Sequence, residues 1–111
     1  IGDAGMQAFA SAVTSGALPQ LQNLMLTANK IGDSGMQAFA TAVASSGSLP
    51  KLRVLYLEQN KIGDGGMQAF ATAIHNMALP KLGALYVDDG ALGTNHPALQ
   101  AVCRARGIIL L

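Results

Sequence analysis

The sequence predicts an α/β fold, a right-handed solenoid with a parallel sheet on its concave face and helices on its convex face. One observation is an internal repeat: the pattern Ile-Gly-Asp-x-Gly-Met-Gln-Ala-Phe-Ala begins at residues 1, 31 and 62, and so returns after 30 and 31 residues. A unit of this length is one supersecondary element that buries its apolar face only when copies stack. The other observation is that the apolar spacing changes within each unit from a strand period to a helical period.

Three segments have the spacing of a strand with one buried face. The second and third apolar residues of each segment are two positions apart, so that they lie on the same side of the strand. The segments are Leu21-Leu24-Leu26, Leu52-Leu55-Leu57 and Leu82-Leu85-Val87. A fourth, shorter strand is expected at residues 108–111.

Helices alternate with these strands. Apolar residues recur at positions i, i+3, i+4 and i+7, which is the spacing of one helix face. They are Met36, Phe39, Ala40 and Val43 in one unit and Met67, Phe70, Ala71 and Ile74 in the next. Strand-helix-strand connections are right-handed in nearly all proteins, so successive strands are expected to pair in parallel beneath an outer layer of helices.

The helix boundaries are predicted from polar and turn-forming residues. Asp3, Asp33 and Asp64 stand at the start of the helical pattern, where a carboxylate can accept a backbone N–H and complement the helix dipole. We therefore predict that each caps its own helix. Gly16 or Gly47 is expected to end a helix, and the Leu-Pro pairs that follow turn the chain towards the next strand.

The last unit, residues 91–111, departs from the repeat. His96-Pro97 replaces the Gly-Met pair, and proline is accepted in a first helical turn, so a helix is predicted over residues 97–106 and closed by Gly107. We interpret this unit as a C-terminal cap on a single domain, residues 1–111, of about four helix-strand units.

The beginning of the sequence lies within the repeated pattern and has no Met, which predicts a C-terminal fragment of a longer array. The apolar flank at Met6, Phe9 and Val13 is then expected to be exposed, because an earlier unit would normally cover it. In this fragment the N-terminal edge is expected to be available for self-association.

Two segments resemble a known signature. Leu21-x-x-Leu24-x-Leu26-x-x-Asn29 and its copy from Leu52 to Asn60 resemble the leucine-rich repeat, and a 30-residue unit with a full helix resembles the ribonuclease-inhibitor-like class. The resemblance covers essentially the whole chain and implies that Asn29 and Asn60 bond to the backbone of neighbouring turns. Gly90 replaces the third asparagine, so the ladder is expected to end there.

Composition limits the choice of partner and of compartment. The net charge is +1, and the seven cations are spread along the sequence, so the electrostatic pattern of a nucleic-acid or membrane binder is missing and neither partner is expected. Cys103 is the only cysteine, which excludes an internal disulfide and a cysteine zinc site. Together with the lack of an Asn-x-Ser/Thr acceptor, this favours an intracellular protein.

Catalytic and metal-binding patterns are weak, so we predict no enzyme, cofactor or metal. His75 and His96 lie in different units, with no carboxylate at a spacing that suggests an acid–base pair. Cys103 is seven residues after His96, about 10.5 Å along a helix axis, which is too far for a nucleophile and its base. The glycine-rich residues 63–66 lack the Lys-Ser/Thr of a phosphate-binding loop. A small buried helix residue is the preferred interpretation of Cys103.

The candidate site is the strand face that points away from the core. Its residues form rows across the sheet, with Met25, Tyr56 and Tyr86 in one row and Thr27, Glu58 and Asp88 in the next. Tyrosine is enriched in interface hot spots, and nearby acids favour a basic partner. These rows predict a non-enzymatic protein-interaction module that binds a protein on its concave face.

Three alternatives stay open. Tyr56 and Tyr86 could only pack on each other as a cross-strand pair. By fold alone, the family resemblance also implies a regulatory repeat domain of a small-GTPase activator or an innate sensor. In the third alternative these units are structural spacers in a longer array.

Overall fold

The computed structural model describes residues 1–45 and 48–111, and over these residues four helices alternate with four short strands. The elements are α1 (Gly2–Thr14), β1 (Asn23–Met25), α2 (Asp33–Val43), β2 (Val54–Tyr56), α3 (Asp64–His75), β3 (Ala84–Tyr86), α4 (Pro97–Arg106) and β4 (Ile109–Leu110). The predicted helix over residues 97–106 and the predicted final strand are both confirmed.

The strands form one parallel sheet in chain order, β1-β2-β3-β4. Leu24, Leu55 and Leu85 pair side by side in register, and Leu110 continues the row on β4. Leu55 and Leu85 are completely buried. The sheet and helix layers confirm the predicted α/β solenoid, because each unit places one strand beside the previous strand and one helix beside the previous helix.

The core is built from equivalent positions of successive units. Met6, Met36 and Met67 are buried, and the Phe9 and Phe70 rings stack on opposite sides of the Phe39 ring with centroid distances of 6.3 Å. This confirms that the first inward methionine of each helix belongs to the core. Cys103 is also buried, as predicted for a small helix residue.

The predicted exposure of the N-terminal flank is wrong for Met6 and Val13, which are both 0% exposed. Both side chains face inward from α1, and Met6 packs close to Gly35 of α2, so they need no preceding unit to cover them. Partial exposure is found at Phe9 and at Leu21 and Leu24 instead. The end of the solenoid is therefore only partly open to solvent.

The prediction that Asp3, Asp33 and Asp64 cap their own helices is wrong. Among the described residues, these three aspartates make no side-chain hydrogen bond to the start of their own helices. Asp3 Oδ1 instead accepts the N–H groups of Gly32 and Gly35 at 2.8 and 2.9 Å, which are the cap and third residue of the next helix, α2. Asp33 repeats this contact with the N–H groups of Gly63 and Gly66 at the start of α3. The physical reason is that each aspartate lies within the first turn of its own helix and not at the N-cap position, while the stacking of units brings its carboxylate to the start of the next helix.

The helix ends agree with the predicted glycine where the structure describes it. Gly16 has φ +88°, its N–H donates to the Val13 carbonyl, and the Ala17 N–H donates to the Ala12 carbonyl, which is the Schellman arrangement. Gly107 closes α4 in the same left-handed conformation. Gly47 lies outside the described residues.

The asparagine ladder forms as the resemblance implies. The Asn60 amide donates to the Leu26 and Leu57 carbonyls at 2.8 and 3.0 Å, and its Oδ1 accepts the N–H groups of Asn29 and Ile31. One side chain thus joins two units and leaves none of these backbone groups unpaired. Gly90, with φ +107°, contributes no side chain to this ladder.

Candidate functional site

The outward row of the sheet is centred on two stacked tyrosines. Tyr56 and Tyr86 are direct partners in the β2–β3 register, and their rings lie 4.5 Å apart between centroids at an angle of 11°. Both rings are half-buried, whereas Met25 beside them on β1 is 69% exposed. Register continues the row to Leu111, whose N–H donates to the Leu85 carbonyl. We call Met25, Tyr56, Tyr86 and Leu111 the tyrosine row.

A second apolar row, which the sequence reasoning missed, lies beside the tyrosine row. Val54, Ala84 and Ile109 are in register on β2, β3 and β4, two positions before residues 56, 86 and 111. Ile109 is 61% exposed. Because alternate residues share a strand face, these side chains and the tyrosine row form one continuous apolar surface. The signal for this row is the alternation of residues 109 to 111, which places Ile109 and Leu111 on the same face of the last strand.

The two predicted acids are already held by neighbouring groups. Thr27 Oγ1 donates to Glu58 Oε1 at 2.6 Å, which joins the second predicted row across β1 and β2. Asp88 Oδ1 accepts the Gln59 N–H at 2.8 Å. In the preceding unit the equivalent donor, the Ala28 N–H, bonds instead to the Glu58 carbonyl. Asp88 therefore supports the sheet edge as well as adding charge beside the tyrosine row.

Cations dispersed along the sequence are brought together in space. Lys51, Arg53 and Lys81 line a groove of about 250 Å³ together with Gln22, where the strands begin. All four side chains are exposed. The sequence reasoning missed this cluster because its members belong to different units.

His96 has a carboxylate partner that sequence spacing did not indicate. Its Nε2 lies 2.9 Å from Asp64 Oδ1, and its Nδ1 accepts the Leu99 N–H at 3.3 Å. The His96 side chain is 3% exposed. His96 is the N-cap of α4. Its ring contacts Asp64 at the place where, in the earlier units, glycine N–H groups donate to Asp3 and Asp33. Both nitrogens of the His96 ring therefore have a hydrogen-bond partner, and the contact with the Leu99 N–H caps α4.

Burial determines the chemistry of the single thiol. Desolvation raises the pKa of Cys103 to about 11, an effect that the positive charge of Arg106 partly opposes. The reactive thiolate is therefore scarce at neutral pH. Arg106 itself donates to the Ile74, Ala78 and Leu79 carbonyls at the end of the α3 unit.

Over residues 1–45 and 48–111, no group of three His, Cys, Asp or Glu side chains is arranged to hold a metal ion. The longest helix in this part of the chain has 13 residues, and none there has the length and hydropathy needed to cross a membrane.

The leucine-rich-repeat family model matches the chain twice, at residues 19–40 and 48–71. Each match contains one strand, and together they include most of α2 and most of α3. No curated protein sequence matches the chain. With the parallel sheet and alternating helices, these matches show that the fold is a leucine-rich-repeat α/β solenoid. Leucine-rich repeats are typically non-enzymatic and generally mediate protein–protein interaction.

Proposed function

We propose that this leucine-rich-repeat solenoid is a non-enzymatic protein-interaction module that binds its partner on the concave strand face. The contact residues in this proposal are Met25, Thr27, Tyr56, Glu58, Tyr86 and Asp88. The observation that carries it is the outward stack of Tyr56 and Tyr86 beside the exposed Met25. An apolar surface of this kind, rimmed by polar groups, is typical of an interaction site.

The stack favours binding for a physical reason. Each tyrosine ring already rests on its neighbour at 4.5 Å, so less side-chain freedom is lost when a partner covers the pair. The phenol groups remain as hydrogen-bonding tips, which is why tyrosine is common among interface hot spots. If the pair served only to stabilise the sheet, its contribution would be about 0.2–1 kcal/mol and no partner would depend on it.

The charge beside the stack favours a partner with a basic contact. Glu58 and Asp88 lie at the ends of β2 and β3, next to the tyrosine row, and each is held in place by one hydrogen bond. Held carboxylates lose little entropy when they meet a lysine or an arginine, and charge complementarity selects the partner and raises the association rate.

The repeat architecture supports two finer assignments within the same proposal. Helices of 10 to 13 residues in units of 30 or 31 residues favour the ribonuclease-inhibitor-like class. Residues 91–111, with their own His96 cap in place of the aspartate–glycine contact, are assigned as the C-terminal capping unit of the domain.

The test is quantitative affinity purification from native extract with three forms of the chain. The wild-type form is compared with Tyr56→Ala/Tyr86→Ala and with Gln37→Ala/Gln68→Ala, which changes two exposed residues on the convex helices. We expect the tyrosine variant to lose at least tenfold of the captured partner while the helix variant retains it. Equal capture by all three forms would contradict binding through the tyrosine row.

A regulatory function would give a different result. A GTPase activator accelerates nucleotide hydrolysis by its small GTPase, whereas an interaction module leaves the hydrolysis rate unchanged. Measuring hydrolysis by the captured proteins, with and without the chain, separates these two functions.

A further inference from the structure

The charges of this protein are segregated between the two edges of its sheet. The six carboxylates lie where the strands end and the helices begin: three follow β2 and β3, and three stand in the first turns of α1, α2 and α3. Five of the seven cations lie at the opposite edge, where the helices end and the strands begin. They are Lys51, Arg53, Lys81, Arg104 and Arg106. The two remaining cations, Lys30 and Lys61, share the acidic edge.

Helix dipoles account for only part of this segregation. Arg104 and Arg106 lie in the last turn of α4, where positive charge complements the carbonyl end of the helix. Lys51, Arg53 and Lys81 are not in helices, since they follow Pro50 and Pro80 and lead into β2 and β3. These three cations therefore need a different explanation.

The three cations line one groove without a carboxylate partner. Lys51 and Lys81 occupy equivalent positions in successive units, and Arg53 lines the same groove of about 250 Å³. Lys51 Nζ donates to the amide oxygen of Gln20 at 2.8 Å, which is a neutral partner. Across the residues that the structure describes, the one ion pair within 4.0 Å joins His96 and Asp64, at the opposite edge of the sheet, where α3 begins. We call Gln22, Lys51, Arg53 and Lys81 the basic groove.

The basic groove adjoins the proposed binding face. Arg53 immediately precedes Val54, the first residue of β2 and part of the outward apolar surface. Glu58 lies five residues after Arg53, just beyond the end of β2. Five residues of extended chain span roughly 16 Å. A segment that crosses the sheet along the strands thus passes from the edge that carries the basic groove, over the apolar surface, to the edge that carries Glu58 and Asp88, over a length that a short peptide covers.

From this arrangement we infer that the partner's contact segment is a polypeptide with acidic side chains that enter the basic groove. Apolar side chains cover the tyrosine row, and a basic side chain meets Glu58 and Asp88 roughly 16 Å away. The two charged ends fix the direction in which the segment crosses the sheet, because the reversed orientation places like charges together. A carboxylate matches the planar donor fork of Arg53. This inference rests on the proposed concave-face binding for the identity of the occupant.

The first experiment measures the basic groove alone. A hexaglutamate peptide is titrated into the ¹⁵N-labelled chain at low ionic strength, and amide shifts are followed by NMR. We expect the largest shifts at Lys51, Arg53 and Lys81, and about fivefold to tenfold weaker binding for Lys51→Glu/Lys81→Glu. The matched control is Lys30→Glu/Lys61→Glu, which makes the same charge change at the opposite edge and is expected to bind within twofold of the wild-type chain.

Three results would overturn the inference. One is equal weakening by the two lysine pairs, which would show an effect of net charge alone. Another is the absence of shifts at the groove with hexaglutamate. The last is tighter groove binding of a short oligothymidylate or of phosphatidylserine vesicles than of hexaglutamate, which would assign the groove to a nucleic acid or a lipid surface.

The same variants separate this inference from the proposed function. Tyr56→Ala/Tyr86→Ala is expected to bind hexaglutamate as the wild-type chain does while it loses the captured partner. If the tyrosine variant loses the captured partner but the wild-type chain does not bind hexaglutamate, the acidic-segment inference is overturned and the concave-face function stands. Normal capture by the tyrosine variant would contradict the concave-face function, whatever the peptide does.

Discussion

The Asp33 carboxylate accepts a hydrogen bond from the backbone N–H of Gly63, which lies 30 residues later in the next unit of the solenoid. The same oxygen accepts the N–H of Gly66 at 2.9 Å. These donors are the cap and the third residue of α3, groups that every helix start leaves without an intrahelical partner. Helix capping in this protein is therefore a contact between units, and it contributes to their stacking.

Asp33→Ala is expected to lower the free energy of unfolding by about 1–2 kcal/mol, because it removes the acceptor of both N–H groups. Asp33→Asn keeps an acceptor oxygen and should lose less than half of that amount. Urea denaturation measures both. Asp89→Ala is the control, since this residue is exposed and a surface change of this kind usually stays within about 0.5 kcal/mol. Equal stability of Asp33→Ala and Asp89→Ala would contradict the capping role.

Two adjacent glycines provide a sharper test of the same contact. A Cβ at Gly66 would lie 2.8 Å from Asp33 Oδ1 and 2.8 Å from Ile62 Cγ2, so Gly66→Ala is expected to cost about 1–3 kcal/mol. At Gly65 the nearest atom would be 3.5 Å away, and Gly65→Ala should leave stability unchanged or raise it by up to about 1 kcal/mol. Thermal unfolding of the two variants checks the difference. If both were equally stable, the close approach at Gly66 would not limit the packing of α2 and α3.

Local patterns in the sequence were sufficient for the elements themselves. The apolar spacing of α2 and α3 lies within single helices, and Pro97 and Gly107 mark the start and the end of α4, so the helices were predictable without knowledge of contacts between units. The stacking of units also places the Tyr56 and Tyr86 rings side by side, as the repeat predicts. These features need only the repeat length and the alternation of side chains along a strand.

Contacts between units were harder to predict because sequence proximity was the wrong guide. Asp3 and Asp33 were assigned to their own helices, although their donors lie 29 to 33 residues away. Asp64 and His96 are 32 residues apart, so their spacing in the sequence gives no sign of their contact. The signal existed in the repeat itself, since a residue one unit later is a spatial neighbour. Applied to the cations, the same rule would have brought Lys51 and Lys81 together.

Met77 adopts a conformation that glycine adopts more easily. It follows the last helical turn of α3 with φ +71°, in the position that Gly16 occupies after α1. The left-handed conformation is unfavourable for a residue with a Cβ, and Met77 is 64% exposed, so little burial is lost on its replacement. Met77→Gly is therefore expected to raise the free energy of unfolding by about 0.5–1 kcal/mol.

The neighbouring Asn76 is the control for this change. Its φ is −85°, which any residue adopts, so Asn76→Gly gains nothing from the conformational freedom of glycine and is expected to be neutral or destabilising. Chemical denaturation of both variants decides the matter. A stability gain from Asn76→Gly but none from Met77→Gly would show that backbone conformation does not limit the end of α3.

Cys103 should make stability depend on alkaline pH. Its pKa is raised to about 11 by burial in the folded chain, against an ordinary value of 9.0 in the unfolded chain. Between these values the unfolded chain has lost the thiol proton while the folded chain keeps it, so the folded state binds more protons and the free energy of unfolding falls as pH rises. The stabilisation is complete below about pH 9 and is lost by about pH 11.

Lysines and tyrosines titrate in the same range, so the measurement compares the wild-type chain with Cys103→Ala. Between about pH 8 and pH 11, the wild-type chain is expected to lose about 2 kcal/mol more than the variant, since each unit of pKa corresponds to about 1.4 kcal/mol. The alanine variant starts from a lower stability because a buried atom is removed, but its pH curve should be flatter. Parallel curves would mean that the buried thiol is not the group responsible, and rapid reaction of native Cys103 with a thiol reagent at neutral pH would contradict its burial directly.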